Sequence, residues 1–247
     1  MYFIDSHIHL QDYITQDIKN IVINATKNNI QKFVNPSSHP SDWQKIEDLS
    51  KSINQIIPAF GVHPWYIHQT PHNWKDQLIN YIEKNPKCFI GETGIDTIKN
   101  SDIEQQIEFL KVHINLAKKY NRPLIIHSVK ANKYFMKLFD ILPSKTIFHS
   151  YTGSIEWGNE IQKRGYYIGL NFSILRKKNN LNIIKNLNIN KILLETDGPY
   201  QSGIKNIETL PENIPCLANE IANIYNISTT EIYQILYDNW ITFLEKN

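Results

Sequence analysis

The sequence predicts an α/β protein built as a TIM-type (β/α)8 barrel, and three observations carry that prediction. Short apolar runs alternate with longer amphipathic stretches from end to end, the signature of βα units feeding a parallel sheet. Eight such runs fit into 247 residues, and a barrel of this kind commonly takes about 250 residues as one domain. Most of the runs end at or just before a histidine or glutamate, which is where a barrel gathers side chains around one pocket.

In order, the candidate strands are Tyr2 to Ser6, Lys32 to Asn35, Ile56 to Val62, Cys88 to Glu92, Leu124 to His127, Thr146 to His149, Tyr166 to Leu170 and Ile192 to Glu195. Between the fourth and fifth, Ile103, Ile107, Leu110, Ile114 and Ala117 fall on one helical face, so Ile103 to Tyr120 reads as a helix packed on the sheet. Asn121 and Pro123 stop it, and Pro123 sits where a strand begins without losing a needed donor. After the eighth run, a loop with Pro199, Gly203, Pro211 and Pro215 leads into two helices, Ile214 to Tyr225 and Thr230 to Leu244, with Ser228 or Thr229 as cap of the second. No repeat, low-complexity tract or long linker divides the chain, so one domain over residues 1–247 is expected.

The chain is 41% hydrophobic and 20% charged, and 26 basic against 24 acidic residues leave a formal charge of only +2. That balance excludes a global positive field for wrapping a long nucleic acid and leaves local phosphate contact open. Two cysteines, Cys88 and Cys216, are too few for a disulfide framework or a Cys-type zinc site and read as buried, reduced thiols. No apolar run approaches the roughly 18 residues of a membrane span, and a strand candidate opens the chain where a leader would stand. A cytoplasmic monomer with no membrane partner is expected.

In Asp5-Ser6-His7-Ile8-His9, strand alternation turns both imidazoles to one side and Ile8 to the other. His-x-His alone is a weak metal signal, with solvated histidines at a polar strand end as the bland alternative. Asp197, in Glu195-Thr196-Asp197-Gly198-Pro199, adds weight, because the first and eighth strands become neighbours when a barrel closes. Glu92, in Gly91-Glu92-Thr93-Gly94, is either a carboxylate that bridges two cations or a capped loop acid. His127 and His149 each end an apolar strand, as ligands or as satisfied core histidines. His63, in Gly61-Val62-His63-Pro64-Trp65, points at the same pocket and reads first as a substrate contact. His39, His68, His72 and His113 lack partners at ligand spacing and read as structural or solvated.

Imidazole and carboxylate donors suit zinc, manganese or similar ions, whereas magnesium is better served by a carboxylate-rich site. Two divalent ions a few ångströms apart lower the pKa of a shared water, polarise a phosphoryl or carbonyl oxygen and stabilise the leaving oxygen, with no serine or cysteine nucleophile. Asp197 is the candidate for orienting that water and accepting its proton, with Glu195, two residues earlier, in a supporting role.

With these residues assembled, the chain resembles, over nearly its full length, the TatD-type metal-dependent deoxyribonucleases of the amidohydrolase-like superfamily. The resemblance is carried by Asp5-Ser6-His7-Ile8-His9-Leu10, Gly61-Val62-His63-Pro64, Gly91-Glu92-Thr93-Gly94-Ile95-Asp96, Ile126-His127-Ser128, His149-Ser150-Tyr151-Thr152-Gly153, Glu195-Thr196-Asp197-Gly198-Pro199-Tyr200 and residues 239–243. It implies a barrel with one metal held by His7, His9, Glu92 and Asp197 and a second by Glu92, His127 and His149, with Asp197 and Glu92 catalytic. It implies hydrolysis of DNA phosphodiesters from the 3′ end of single strands. Where many members carry an arginine two residues after the strand-five histidine, this chain has Val129 followed by Lys130. His63, Trp65, Lys130 and Tyr200 are the candidate substrate contacts, and the aromatics among them either stack bases or pack the rim. Hydrolysis of an ester or amide, such as an aminoacyl ester on RNA, is the alternative activity for the same two-ion site. Outside enzymes, the alternative is an inactive barrel acting as a binding protein.

Overall fold

A computed structural model describes residues 1–99, 102–176, 178–201 and 209–245. The first half of the chain forms β1 (Phe3–Asp5), α1 (Ile18–Lys27), β2 (Ile30–Pro36), α2 (Trp43–Ser52), β3 (Ile56–Phe60), α3 (Trp74–Lys84), β4 (Phe89–Asp96) and α4 (Ile103–Tyr120). The second half forms β5 (Leu124–Val129), α5 (Asn132–Phe135), β6 (Thr146–Phe148), α6 (Ile155–Lys163), β7 (Tyr167–Leu170), α7 (Lys178–Lys185), β8 (Ile192–Leu194), α8 (Ile214–Tyr225) and α9 (Thr229–Glu245). All eight predicted strands are present, and the sheet takes them in chain order from β1 to β8. The described pairings are parallel. Gly203 of the predicted loop lies outside the described residues. The chain forms two compact units: unit 1 is residues 1–34 with 149–247, and unit 2 is residues 35–148.

In unit 1, β1 pairs with β2 and β7 with β8, with Phe3 opposite Ile30 and Leu170 opposite Leu194. The end of β1 also meets the end of β8, where the Ser6 amide donates to the Leu194 carbonyl at 2.9 Å. Helices α8 and α9 bury Leu217, Ile221, Leu236, Trp240 and Phe243, spaced three and four residues apart so that each helix presents one apolar stripe. Ser228 Oγ accepts the Glu231 amide at 3.1 Å and caps α9.

In unit 2, α4 matches its predicted bounds, opening on an Asp102 cap and closing on Asn121 in the left-handed region. Its buried face differs from the apolar pattern. Ile103 and Ile107 are half-buried, while Gln106 and His113 are buried. Gln106 reaches the main chain of Asp96, and His113 accepts the Val62 amide at 3.1 Å, so hydrogen bonds to the strands rotate the helix toward its polar residues. β4 continues four residues past the predicted end at Glu92, to Asp96. Gly94 permits this: at φ +156°, any Cβ there would run into the His127 carbonyl of the adjacent strand.

Cys88 is buried as expected, but Cys216 is exposed, on the solvent side of α8. Among the described residues, no helix is long and apolar enough to cross a membrane.

Candidate functional site

Unit 1 assembles its group where β1 and β8 end. The His7 carbonyl accepts the Asp197 amide at 2.9 Å and the His9 amide donates to the Gly198 carbonyl at 2.7 Å. Ile8 is fully buried, leaving His7 and His9 on one side, as strand alternation requires. Their Nε2 atoms lie 3.1 Å apart, and Asp197 Oδ1 lies 3.7 Å from His7 Nε2 and 3.6 Å from His9 Nε2. Asp197 turns toward them from a left-handed backbone at φ +55°, a strained conformation of the kind that clusters at functional sites. Two nitrogens on one tetrahedral zinc at ordinary bond lengths sit about 3.3 Å apart, so this donor set fits one divalent ion. The Gln11 carboxamide meets His9 Nδ1 at 3.3 Å, on the far side of the ring from the convergence.

Burial works to raise the Asp197 carboxyl, but the neighbouring His9, His7 and His149 rings outweigh it and hold the group below its ordinary value. It is therefore an anion at neutral pH. Beneath it lies Asp5, fully buried, whose Oδ1 accepts the Thr196 amide at 3.0 Å and whose Oδ2 accepts the Thr196 hydroxyl at 2.5 Å. Burial pushes this carboxyl up to about 8 against those hydrogen bonds.

His149, one residue past β6, stacks on His7 with ring centroids 4.0 Å apart at 9°. Its Nδ1 is 3.7 Å from Glu195 Oε1. Glu195 is wholly buried; Oε1 accepts the Ser150 amide at 2.5 Å, and Oε2 has no hydrogen-bond partner among the described residues. A buried, unpartnered carboxylate oxygen beside two imidazoles is a second mark of a cation in this group. Gly169 of β7 leaves room for it, because a Cβ there would collide with the Glu195 carboxylate.

Unit 2 carries a histidine–carboxylate group of its own residues, in which Glu92 Oε1 lies 3.4 Å from His63 Nε2 and 3.0 Å from His127 Nδ1. The Trp65 amide donates to His63 Nδ1 at 3.2 Å. That amide has no alternative role as acceptor, so neutral His63 carries its proton on Nε2 and faces Glu92 as a donor. His63, Glu92 and His127 thus present their ligand-type atoms within 4.8 Å of one another, a set that could hold a metal ion, and in this tautomer His63 serves as a hydrogen-bond donor. His127 stands between two carboxylates, Nδ1 toward Glu92 and Nε2 toward Asp96 Oδ2 at 3.1 Å. Burial alone would raise Asp96, but hydrogen bonds from His127, the Lys99 amide, the Trp65 indole and the Ile98 amide hold it well below the usual carboxylate range.

The predicted ligands thus divide, with His7, His9, His149 and Asp197 in unit 1 and Glu92 and His127 in unit 2. Each set converges within its own unit. Of the predicted substrate contacts, Trp65 is 39% exposed beside His63 and carries Lys99 Nζ 4.0 Å above its ring. Tyr200 is 51% exposed, edge-on to His9 and hydrogen-bonded to Asp12 at 3.1 Å. Lys130 is exposed at the end of β5, in the left-handed region at φ +50°. His113 is structural, as expected: it is buried, and desolvation holds its imidazole down at about 4. Sequence reasoning gave no role to Asp5 or Asp96. The signal for Asp96 was its parity with Glu92 and Gly94, four and two residues earlier on one strand face.

The TatD-related DNase family model matches residues 4–245. A curated relative from Methanocaldococcus jannaschii, an uncharacterized metal-dependent hydrolase, is 27% identical, covering 99% of this chain and 97% of its own length. The human deoxyribonuclease TATDN3 is 27% identical over 98% of this chain and 94% of its own. The crystal structure of the TatD homolog YjjV from Escherichia coli superposes with a TM-score of 0.91 at 25% identity, covering 99% of this chain and 98% of that one. The fold is therefore the TIM-type (β/α)8 barrel.

Proposed function

Because this chain belongs to the TatD-related DNase family and is a metal-dependent hydrolase, we propose that it cleaves phosphodiester bonds at DNA ends, as a 3′ to 5′ exonuclease on single strands using two divalent ions. The observation that carries the reading is the convergence of His7 Nε2, His9 Nε2 and Asp197 Oδ1 within 3.1–3.7 Å of one another. These three residues hold one ion, with His149 and Glu195 beside them. Glu92 and His127 hold the other. Nitrogen-rich donor sets of this kind favour zinc or manganese over magnesium. When bound, such ions activate water and neutralise the charge that develops on a phosphoryl group.

The residues of the chain supply the rest. Asp197, kept anionic by the imidazoles around it, accepts a proton from the attacking water and orients it. His63, with its proton on Nε2 at 3.4 Å from Glu92 Oε1, shares that hydrogen bond with a phosphoryl oxygen when substrate is bound. Trp65, with Lys99 over its ring, and Tyr200 offer partly exposed aromatic surface to bases, and Lys130 offers a cation to the backbone of the strand. The human relative named a deoxyribonuclease supports this choice of substrate.

The test is digestion of 3′- and 5′-labelled single-stranded DNA by wild type and Asp197→Asn, with zinc, manganese or magnesium added and with chelator. Stepwise shortening from the 3′ end, abolished by chelator and by the substitution, is the expected result. Absence of digestion with every metal, together with turnover of an aminoacylated RNA, would overturn the nuclease reading in favour of ester hydrolysis.

A further inference from the structure

We propose that Asp96 is the positioning residue for His127: it accepts a hydrogen bond from Nε2–H, which keeps the proton on that nitrogen and presents the Nδ1 lone pair beside Glu92. The inference rests on the reading of His127 and Glu92 as ligands and adds a residue that the reading does not use.

The two oxygens of Asp96 do different work. Oδ1 accepts the amides of Ile98 at 2.8 Å and Lys99 at 3.0 Å, closing the turn that follows β4. That is an ordinary local role for an aspartate. Among the described residues, Oδ2 takes no part in the turn. It accepts the Trp65 indole N–H at 2.7 Å and faces His127 Nε2 at 3.1 Å. The residue is 2% exposed, and its main chain is clamped from both sides by Gln106, whose carboxamide accepts the Asp96 amide at 2.7 Å and donates to the Asp96 carbonyl at 3.1 Å. A carboxylate held this firmly fixes the ring opposite it.

The ring needs fixing because both of its nitrogens face acceptors. Nδ1 lies 3.0 Å from Glu92 Oε1 and Nε2 lies 3.1 Å from Asp96 Oδ2. A neutral imidazole carries one proton. Placed on Nδ1, that proton blocks the nitrogen that shares space with Glu92. Placed on Nε2, it satisfies Asp96 and leaves Nδ1 a lone pair at the point where Glu92 Oε1 also presents one. Asp96 selects the second arrangement, as outer carboxylates do for ligating histidines generally.

Asp96→Asn tests this with little change of shape. The carboxamide oxygen can keep the turn amides, and its NH2 then takes the place of Oδ2. A donor facing Nε2 forces the proton onto Nδ1, the tautomer that cannot ligate. We expect zinc binding, followed by competition with a chelator, to show the affinity for one ion falling about 10–100-fold while the other ion is held as in wild type. Loss of both ions, with a fall in the melting temperature of the metal-free protein, would mean a general structural role and overturn the proposal. Long-range proton–nitrogen NMR on zinc-loaded wild type gives a readout independent of any variant: His127 should carry its proton on Nε2. A proton on Nδ1 overturns the proposal, as does wild-type zinc affinity in Asp96→Asn. Glu92→Gln separates the two levels. If Glu92→Gln also binds both ions as tightly as wild type, the ligand reading itself falls and this inference falls with it.

Discussion

The two histidine–carboxylate groups are held in place by different means. In unit 1 the spacing of His7, His9 and Asp197 comes from the backbone: amides and carbonyls of residues 6–9 and 194–198 are laced together at 2.7–2.9 Å. In unit 2 the backbone is paired too, with the His63 amide on the Ser38 carbonyl at 2.9 Å and the Glu92 amide on the Ser37 carbonyl at 3.1 Å, but the ring nitrogens are also met by side chains and single amides, His63 by the Trp65 amide and His127 by Glu92 and Asp96. A backbone lattice tolerates changes in neighbouring side chains and transmits backbone strain. A side-chain network does the reverse, so substitutions of the two kinds should separate the groups.

The largest effect expected is on turnover. Asp197→Asn keeps the volume and the backbone lacing but removes the anion that accepts the proton, and a general base is worth about 10²–10⁴-fold. Metal-supported hydrolysis should fall by about 10³-fold or more, with the melting temperature of the metal-free protein little changed. Activity within tenfold of wild type would remove Asp197 from the chemistry.

Stability separates the groups next. Gly94→Ala drives a Cβ into the His127 carbonyl at a φ of +156°; neither the strain nor the clash can be relieved by a side-chain rotation, so about 4 kcal/mol is expected to be lost. Gly169→Ala meets the Glu195 carboxylate and the His149 Cα at 3.2 Å. Its main obstacle is a side chain, and a cost of about 1–3 kcal/mol is expected. Urea unfolding measures both, and equal losses would break the argument that one site clashes with backbone and the other with a side chain.

The difference between the groups also marks what was legible in the sequence. His7, His9, Glu92, His127, His149 and Asp197 stood out because each closes an apolar run, and a run that ends in a ligand-type residue is visible without coordinates. The bounds of α4 were legible because its apolar spacing and the stop at Asn121 and Pro123 agree. The partners that orient the rings were not. Asp96 lies four residues past Glu92, where the apolar run and with it the predicted strand ended. Gln106 and His113 look like polar interruptions of a helical stripe, and only the strand amides and carbonyls they meet explain their burial. The tautomer of His63 depends on a backbone amide two residues away, a contact with no compositional trace.

A pH measurement sharpens the comparison within unit 2. His113 Nδ1 donates to the Phe109 carbonyl at 2.7 Å, and Nε2 accepts the Val62 amide at 3.1 Å, so the fold binds the neutral ring. Its value falls from 6.5 to about 4, chiefly through desolvation. Between those values the unfolded chain takes up a proton that the folded chain refuses, so the contribution to stability rises with pH across the interval and is lost as pH falls from 6.5 toward 4. The full span is worth about 3 kcal/mol. His113→Gln should be less stable than wild type at pH 7.5, with the gap narrowing by pH 4.5; parallel curves would show that His113 does not titrate with folding.

The smallest effects belong to the rim aromatics. Trp65 is tied through its indole N–H to buried Asp96 at 2.7 Å, whereas Tyr200 is tied through its hydroxyl to Asp12 at an exposed position, at 3.1 Å. Trp65→Ala removes a base platform, worth about 1–3 kcal/mol in stacking, and also leaves Asp96 Oδ2 without one of its donors. It should raise KM for single-stranded DNA about tenfold and weaken zinc binding slightly. Tyr200→Phe retains the ring edge against His9 and loses only an exposed hydrogen bond, worth about 0.5–1 kcal/mol. Its KM should move less than about threefold, and its zinc affinity should not move at all, since the backbone lacing that spaces His7, His9 and Asp197 is untouched. A Tyr200→Phe variant that lost zinc would show that the unit 1 group, too, depends on its side-chain surroundings, and the distinction between the two would fail at its weakest point.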